Sequence, residues 1–129
     1  MLMRKLLPIF LFALMFTGCA ASQKQDNTYR RISMEEAVQM MEDESSYVIL
    51  DVRRPDEYAA GHIPGAINVA NETIGTAEIP ELPDKDQLIL VYCRSGRRSK
   101  EASEKLVKLG YTNIVEFGGI LDWKGEIEA

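Results

Sequence analysis

The sequence predicts an α/β domain built on a largely parallel sheet. Two kinds of segment carry that prediction. Tyr47-Val48-Ile49-Leu50 and Leu88-Ile89-Leu90-Val91-Tyr92 are continuous apolar runs, the pattern of strands buried on both faces. Around them lie segments with apolar residues at helical spacing: Met34, Ala37, Val38 and Met41, and later Ala102, Leu106 and Leu109. Strand and helix patterns alternating along one chain argue for parallel strands joined by crossover helices.

The elements follow in order. Arg4 and Lys5 precede an apolar run from Leu6 to Phe16, broken only by Pro8. That run is too short to span a bilayer, which takes about 20 residues in a helix, and it fits the core of an export signal. Ala20 to Thr28 is polar, without hydrophobic periodicity, and reads as a tether. Tyr29 to Ile32 is a candidate first strand. Ser33 with Glu36 has capping-box spacing and opens the first helix. The run 47–50 is the second strand, ending at Asp51. Asp56 to Ala60 suggests a helical turn, Gly61-His62-Ile63-Pro64-Gly65 a turn-rich break, and Ala66 to Val69 a short third strand. Asn71 to Asp86 contains Pro80 and Pro83 and is expected to be mostly loop. Leu88 to Tyr92 is the fourth strand and runs directly into Cys93. Ser99 to Leu109 has helix-forming composition, and Gly110 suits the position just past its end. Ile114 to Phe117 is the last strand, which Gly118-Gly119 is expected to break, and Ile120 to Ala129 is expected to close as a helix carrying Trp123.

Composition narrows the function classes. The 129 residues allow one domain. The formal net charge of −5 argues against nucleic acid as the main partner, because that work needs a broad basic surface. Two cysteines, Cys19 and Cys93, and one histidine, His62, make a histidine–cysteine zinc cluster a poor reading. Removing residues 1–18 would take away Arg4 and Lys5 and no acid, so the exported chain would be still more acidic.

Cys93 is the candidate nucleophile. It lies at the carboxyl end of a buried strand, where ligands bind in open α/β sheets. The segment Cys93-Arg94-Ser95-Gly96-Arg97-Arg98-Ser99 leads into a helix. That helix presents unpaired N–H groups at its N-terminus, the tight turn at Gly96 can gather amides around an anion, and Arg94, Arg97 and Arg98 add positive charge. Each effect favours thiolate over thiol. The competing reading is an inert buried cysteine with the arginines as a solvated surface. Three cations within five residues of the sulfur, on an acidic chain, weigh against it. They also suggest an anionic substrate.

Two separated motifs carry a family resemblance. Cys93, Gly96, Arg98 and Ser99 stand at the fixed positions of the active loop in the rhodanese-like domain family. Asp51-Val52-Arg53, Glu57-Tyr58 and Gly61 to Asn68 resemble its other signature, and the ending from Gly118-Gly119 to Trp123 is similar as well. The resemblance covers Tyr29 to Ala129. It implies a three-layer sandwich, with a mostly parallel five-stranded central sheet and helices on both faces. It also implies sulfur transfer: Cys93 takes a sulfane sulfur from a small anionic donor such as thiosulfate, holds it as a persulfide within the loop Arg94 to Ser99, and yields it to a thiol or cyanide. No metal or organic cofactor is required by that chemistry, and a monomer is expected. Thr17-Gly18-Cys19-Ala20 resembles a bacterial lipoprotein signal, with Phe16 where that family usually has Leu. This implies export to the cell envelope with Cys19 lipid-modified and the domain held at a membrane. The alternatives are ordinary cleavage near Ala20 or Ala21, giving a soluble exported protein, and, further off, an uncleaved membrane anchor.

Related phosphatases have five residues between cysteine and arginine. Here Arg98 follows Cys93 after four, a loop better sized for one sulfur atom than for a phosphate. A cysteine phosphatase or arsenate reductase is thus disfavoured, and a tethered module without turnover remains the non-enzyme alternative. Asp51, Arg53 and Glu57 are read as supporting residues whose ion pairing orders the loop. His62 is read as structural, and Trp123 and Tyr92 as packing residues.

Overall fold

The computed structural model describes residues 28–129. The export signal, the tether up to residue 27 and Cys19 lie outside the described residues.

Five strands form one parallel sheet: β1 (Arg30–Arg31), β2 (Val48–Asp51), β3 (Ile67–Asn68), β4 (Ile89–Cys93) and β5 (Ile114–Gly119), in the order β1-β5-β4-β2-β3. Three helices connect them: α1 (Met34–Asp43), α2 (Pro55–Ala60) and α3 (Arg97–Lys108). The predicted class and strand count are both observed. Ser33 and Glu36 form the expected reciprocal cap on α1, with the Glu36 amide donating to Ser33 Oγ at 3.0 Å and the Ser33 amide to Glu36 Oε1 at 2.8 Å.

Strand β4 shows why the sheet needs helices on both faces. All five of its residues are buried. Alternation sends Ile89, Val91 and Cys93 to one side, with Ala102 and Leu106 of α3, and sends Leu90 and Tyr92 to the other, with Ala37 of α1. The loop between β3 and β4 closes the α3 side with Ile74, Ile79 and Leu82, and the Tyr111 hydroxyl pins it by donating to the Leu82 carbonyl at 2.6 Å. The same alternation runs through β5. Val115 and Phe117 enter the α1 side, which leaves Glu116 on the face shared by Ile114 and Cys93.

Three boundaries differ from the sequence expectation by more than one residue. Helix α3 begins two residues early, because Gly96, at φ +115°, serves as its N-cap. Arg97, Arg98 and Ser99 therefore form its first turn, and the free loop is only Arg94 to Gly96. Strand β5 continues through the glycine pair, since Gly119 aligns with Cys93 across the ladder. The closing helix shrinks to a single tight turn over Ile120–Asp122. Gly125 weakens any helix there. The tail is instead taken up by a two-way backbone pairing, with His62 N donating to Glu128 O at 2.8 Å and Glu128 N to His62 O at 2.9 Å.

Candidate active site

Cys93 ends β4 with only 1% of its surface exposed. Its sulfur faces the start of α3. The Gly96 amide donates to Sγ at 3.0 Å, so the N-cap residue of a twelve-residue helix turns its N–H onto the sulfur. Sγ lies 3.4 Å from Ser99 Oγ. Ser99, fully buried, is also 3.1 Å from the Gly96 carbonyl, 3.3 Å from the Gly118 carbonyl and 2.5 Å from Glu116 Oε2.

The loop rests on bare backbone. A Cβ at Gly119 would collide with the Arg94 carbonyl, so only glycine admits the loop at this height. The Leu121 amide then holds that carbonyl at 3.2 Å. Arg94 and Ser95 remain exposed.

The three arginines do not converge as free charges, which corrects the sequence expectation. Arg98 is engaged by Glu57 of α2 through contacts of 2.7 and 3.1 Å. Arg97 pairs with Glu101 one turn on, at 2.9 Å on the surface. Among the described residues, Arg94 alone of the three has no carboxylate partner. The hydrogen bond from Arg98 holds the Glu57 carboxyl at about 2, well below the usual carboxylate range and against the opposing pull of burial. Glu57 thus ties α2 to the first turn of α3.

Asp51 and Arg53 lie on the opposite side of the sheet and do not touch the loop. Asp51, fully buried, accepts Arg53 Nη2 at 2.6 Å, Arg53 Nε and the Arg53 amide at 2.9 Å, and the Tyr92 hydroxyl at 2.7 Å. Tyr92 in turn accepts the Ile63 amide at 3.1 Å, and Arg53 donates to the Gly61 carbonyl at 2.7 Å. Burial, with the Asp51 hydrogen bond behind it, pushes the Tyr92 hydroxyl far above the usual tyrosine value. Tyr92 is thus a hydrogen-bonding residue as well as a packing one. Its network fixes the turn from Gly61 to Ile63. His62 sits in that turn, stacked on Tyr58 with ring centroids 3.8 Å apart and Nδ1 2.9 Å from the Tyr58 carbonyl. It is remote from the loop in contacts and structural in setting. Trp123 is half-buried against the α1-side core.

Glu116 is the site residue the sequence reading missed. Its signal was a single acid inside the apolar run Ile114-Val115-Glu116-Phe117, because a charged residue is almost never fully buried without a purpose or a partner. Among the described residues, no cluster of His, Cys, Asp and Glu side chains is arranged to hold a metal ion.

Comparison with known proteins agrees with this architecture. A family model described as a rhodanese-like domain matches residues 33–126. The thiosulfate sulfurtransferase PspE of Escherichia coli (strain K12) is 38% identical over 73 residues, which are 57% of this chain and 70% of that protein. The thiosulfate sulfurtransferase GlpE of Pseudomonas entomophila (strain L48) is 35% identical over 97 residues, 74% of this chain and 85% of that protein. A solved rhodanese with anions from E. coli superposes with a TM-score of 0.59 at 34% identity, covering 64% of this chain and 98% of the other.

Proposed function

The chain belongs to the rhodanese-like domain family, and from that premise we propose that it is a sulfurtransferase that carries a sulfane sulfur as a persulfide on Cys93. One observation carries the reading: a strand-end sulfur that receives the Gly96 amide at 3.0 Å inside a loop with four residues between Cys93 and Arg98. The Cys93 thiolate attacks the outer sulfur of a donor such as thiosulfate. A new S–S bond forms, the donor's S–S bond breaks, and sulfite leaves with the bonding electrons. A thiolate or cyanide then attacks the outer sulfur of the persulfide and displaces Cys93 as thiolate. This is covalent catalysis in two displacements, with a nucleophile that is also the leaving group.

The Gly96 amide and the N-terminus of α3 stabilise the sulfur anion. Arg98, held by Glu57, shapes the first turn of α3. Arg94, exposed and without a carboxylate partner among the described residues, meets the anionic end of the donor, with Ser95 beside it. Arg97 contributes a peripheral charge, and Asp51 and Arg53 hold the framework from the far face.

Mass spectrometry of the protein after incubation with thiosulfate tests this. A gain of one sulfur on Cys93, removed by cyanide and absent in Cys93→Ser, is the expected result. No adduct with any sulfane donor, together with hydrolysis of an aryl phosphate, would favour a phosphatase; failure of both would leave a binding module. The sequence pattern supports export with Cys19 lipidated. Fatty-acid labelling that is lost in Cys19→Ala is expected, and a freely soluble unlabelled product would remove the anchor from the proposal.

A further inference from the structure

The Ser99 hydroxyl has more acceptors around it than it can serve. The Gly96 carbonyl, the Gly118 carbonyl and Glu116 Oε2 lie at 3.1, 3.3 and 2.5 Å, and a serine hydroxyl has one hydrogen. The shortest contact and the charged acceptor are the same one, so the hydrogen belongs to Glu116. Glu116 is 2% exposed, and its remaining neighbours are donors: the Gly118 amide at 2.9 Å on Oε2, and Arg31 Nε at 3.5 Å from Oε1. It is therefore placed to accept. With its hydrogen spent on Glu116, Ser99 turns only lone pairs toward Cys93 Sγ at 3.4 Å, and the thiol donates to it. A thiolate or persulfide has no such hydrogen to give. It would face a lone pair unless the hydroxyl swung from Glu116 to the sulfur.

We propose that Glu116 is a positioning residue that governs Cys93 through Ser99, holding the Ser99 hydrogen so that Cys93 rests as a thiol until that hydrogen turns to the sulfur. This rests on the reading of Cys93 as the nucleophile. In the turn, the Cys93 S–H bond breaks and its proton passes to water. The Ser99 O–H bond only rotates, exchanging the Glu116 oxygen for the sulfur anion. The arrangement makes the sulfur's charge depend on a residue that never touches it. Other charged or titratable groups face the site: Arg31 from β1, the neutral Tyr29 just before it, Arg98 from α3 and Glu57 behind Arg98. All of them are unchanged in the variants below.

The test is the rate of alkylation by iodoacetamide across pH. Glu116→Gln keeps the side-chain shape and removes the charged acceptor. The alkylation midpoint should fall by about one pH unit, giving about fivefold faster alkylation one unit below the wild-type midpoint. In a Ser99→Ala background the same substitution should move the midpoint less than half as far, because the hydroxyl that transmits the effect is gone. Ser99→Ala alone should lower the midpoint or leave it in place, since an acceptor of the S–H is lost. A Glu116→Gln midpoint that is unchanged or raised, or a shift undiminished without Ser99, overturns the proposal. So does a Ser99→Ala midpoint that rises, which would mean that Ser99 favours the thiolate on balance instead of keeping Cys93 a thiol. If Glu116→Gln does not fold, the Ser99→Ala arm decides. Alkylation needs no sulfur donor, so these results stand apart from whether the chain transfers sulfur.

Discussion

Adjacent residues of one strand, Tyr92 and Cys93, meet two very different polar environments. On the α1 side, Tyr92, Asp51 and Arg53 form a closed set in which Asp51 accepts from both partners and Arg53 Nη2 also reaches the Gly61 carbonyl. On the α3 side, one hydroxyl hydrogen stands among three oxygens and a sulfur. A saturated buried network has one arrangement, because any rearrangement leaves a charge or donor unpaired. A network short of a hydrogen has two. The sheet thus separates holding from switching by the side to which successive residues point.

Breaking the saturated side should have the largest effect on stability. Asp51→Asn leaves the Arg53 guanidinium buried without its countercharge, and urea denaturation should show a loss of about 3–5 kcal/mol. Sulfur uptake per folded molecule should persist; its disappearance with an intact fold would mean that the two sides are not separate. Glu57→Gln tests the tie between α2 and α3 and should cost on the order of 1–2 kcal/mol. The carboxyl of Glu57 lies at about 2, against 4.5 for a free one. A lowered folded value stabilises above the unfolded value and is lost as pH falls through the folded one. The gap between wild type and variant should therefore be full above about pH 4.5 and close as pH approaches about 2. A gap that is independent of pH would remove the ion pair from the explanation. Arg97→Ala removes an exposed pair one helical turn apart, and should cost no more than about 0.5 kcal/mol in the same denaturation experiment. A larger loss would place Arg97 in the framework.

The framework was legible in the sequence because it depends on local signals. Apolar runs marked β2 and β4, helical spacing marked α1 and α3, and the Ser33–Glu36 box marked one helix start to the residue. Cys93 was legible for the same reason: it follows a strand and precedes a turn glycine. What escaped was set by contacts between distant segments. Nothing near residues 120–129 announces that Glu128 pairs with His62 and displaces a helix. The partners of Arg97 and Arg98 illustrate the point from both sides. Glu101 lies four residues from Arg97 and is visible as helical spacing, whereas Glu57 lies 41 residues from Arg98. Glu116 needed two facts that no local pattern supplies: which strand borders β4, and which face its acid takes.

The seat of the loop on Gly119 also bears on how this site could change its chemistry. Arg94 is fixed from below by the glycine that admits its carbonyl and from the side by the Leu121 amide. An extra residue inserted after Cys93 would lift Arg94 off both and forfeit them. One inserted after Ser95 would push Gly96 away from the sulfur that its amide now reaches. A pocket sized for a tetrahedral oxyanion would therefore need a new seat for Arg94 or for the Gly96 amide as well as the extra residue. The neighbouring strand acts as a ruler, and the length of the loop is inherited from it.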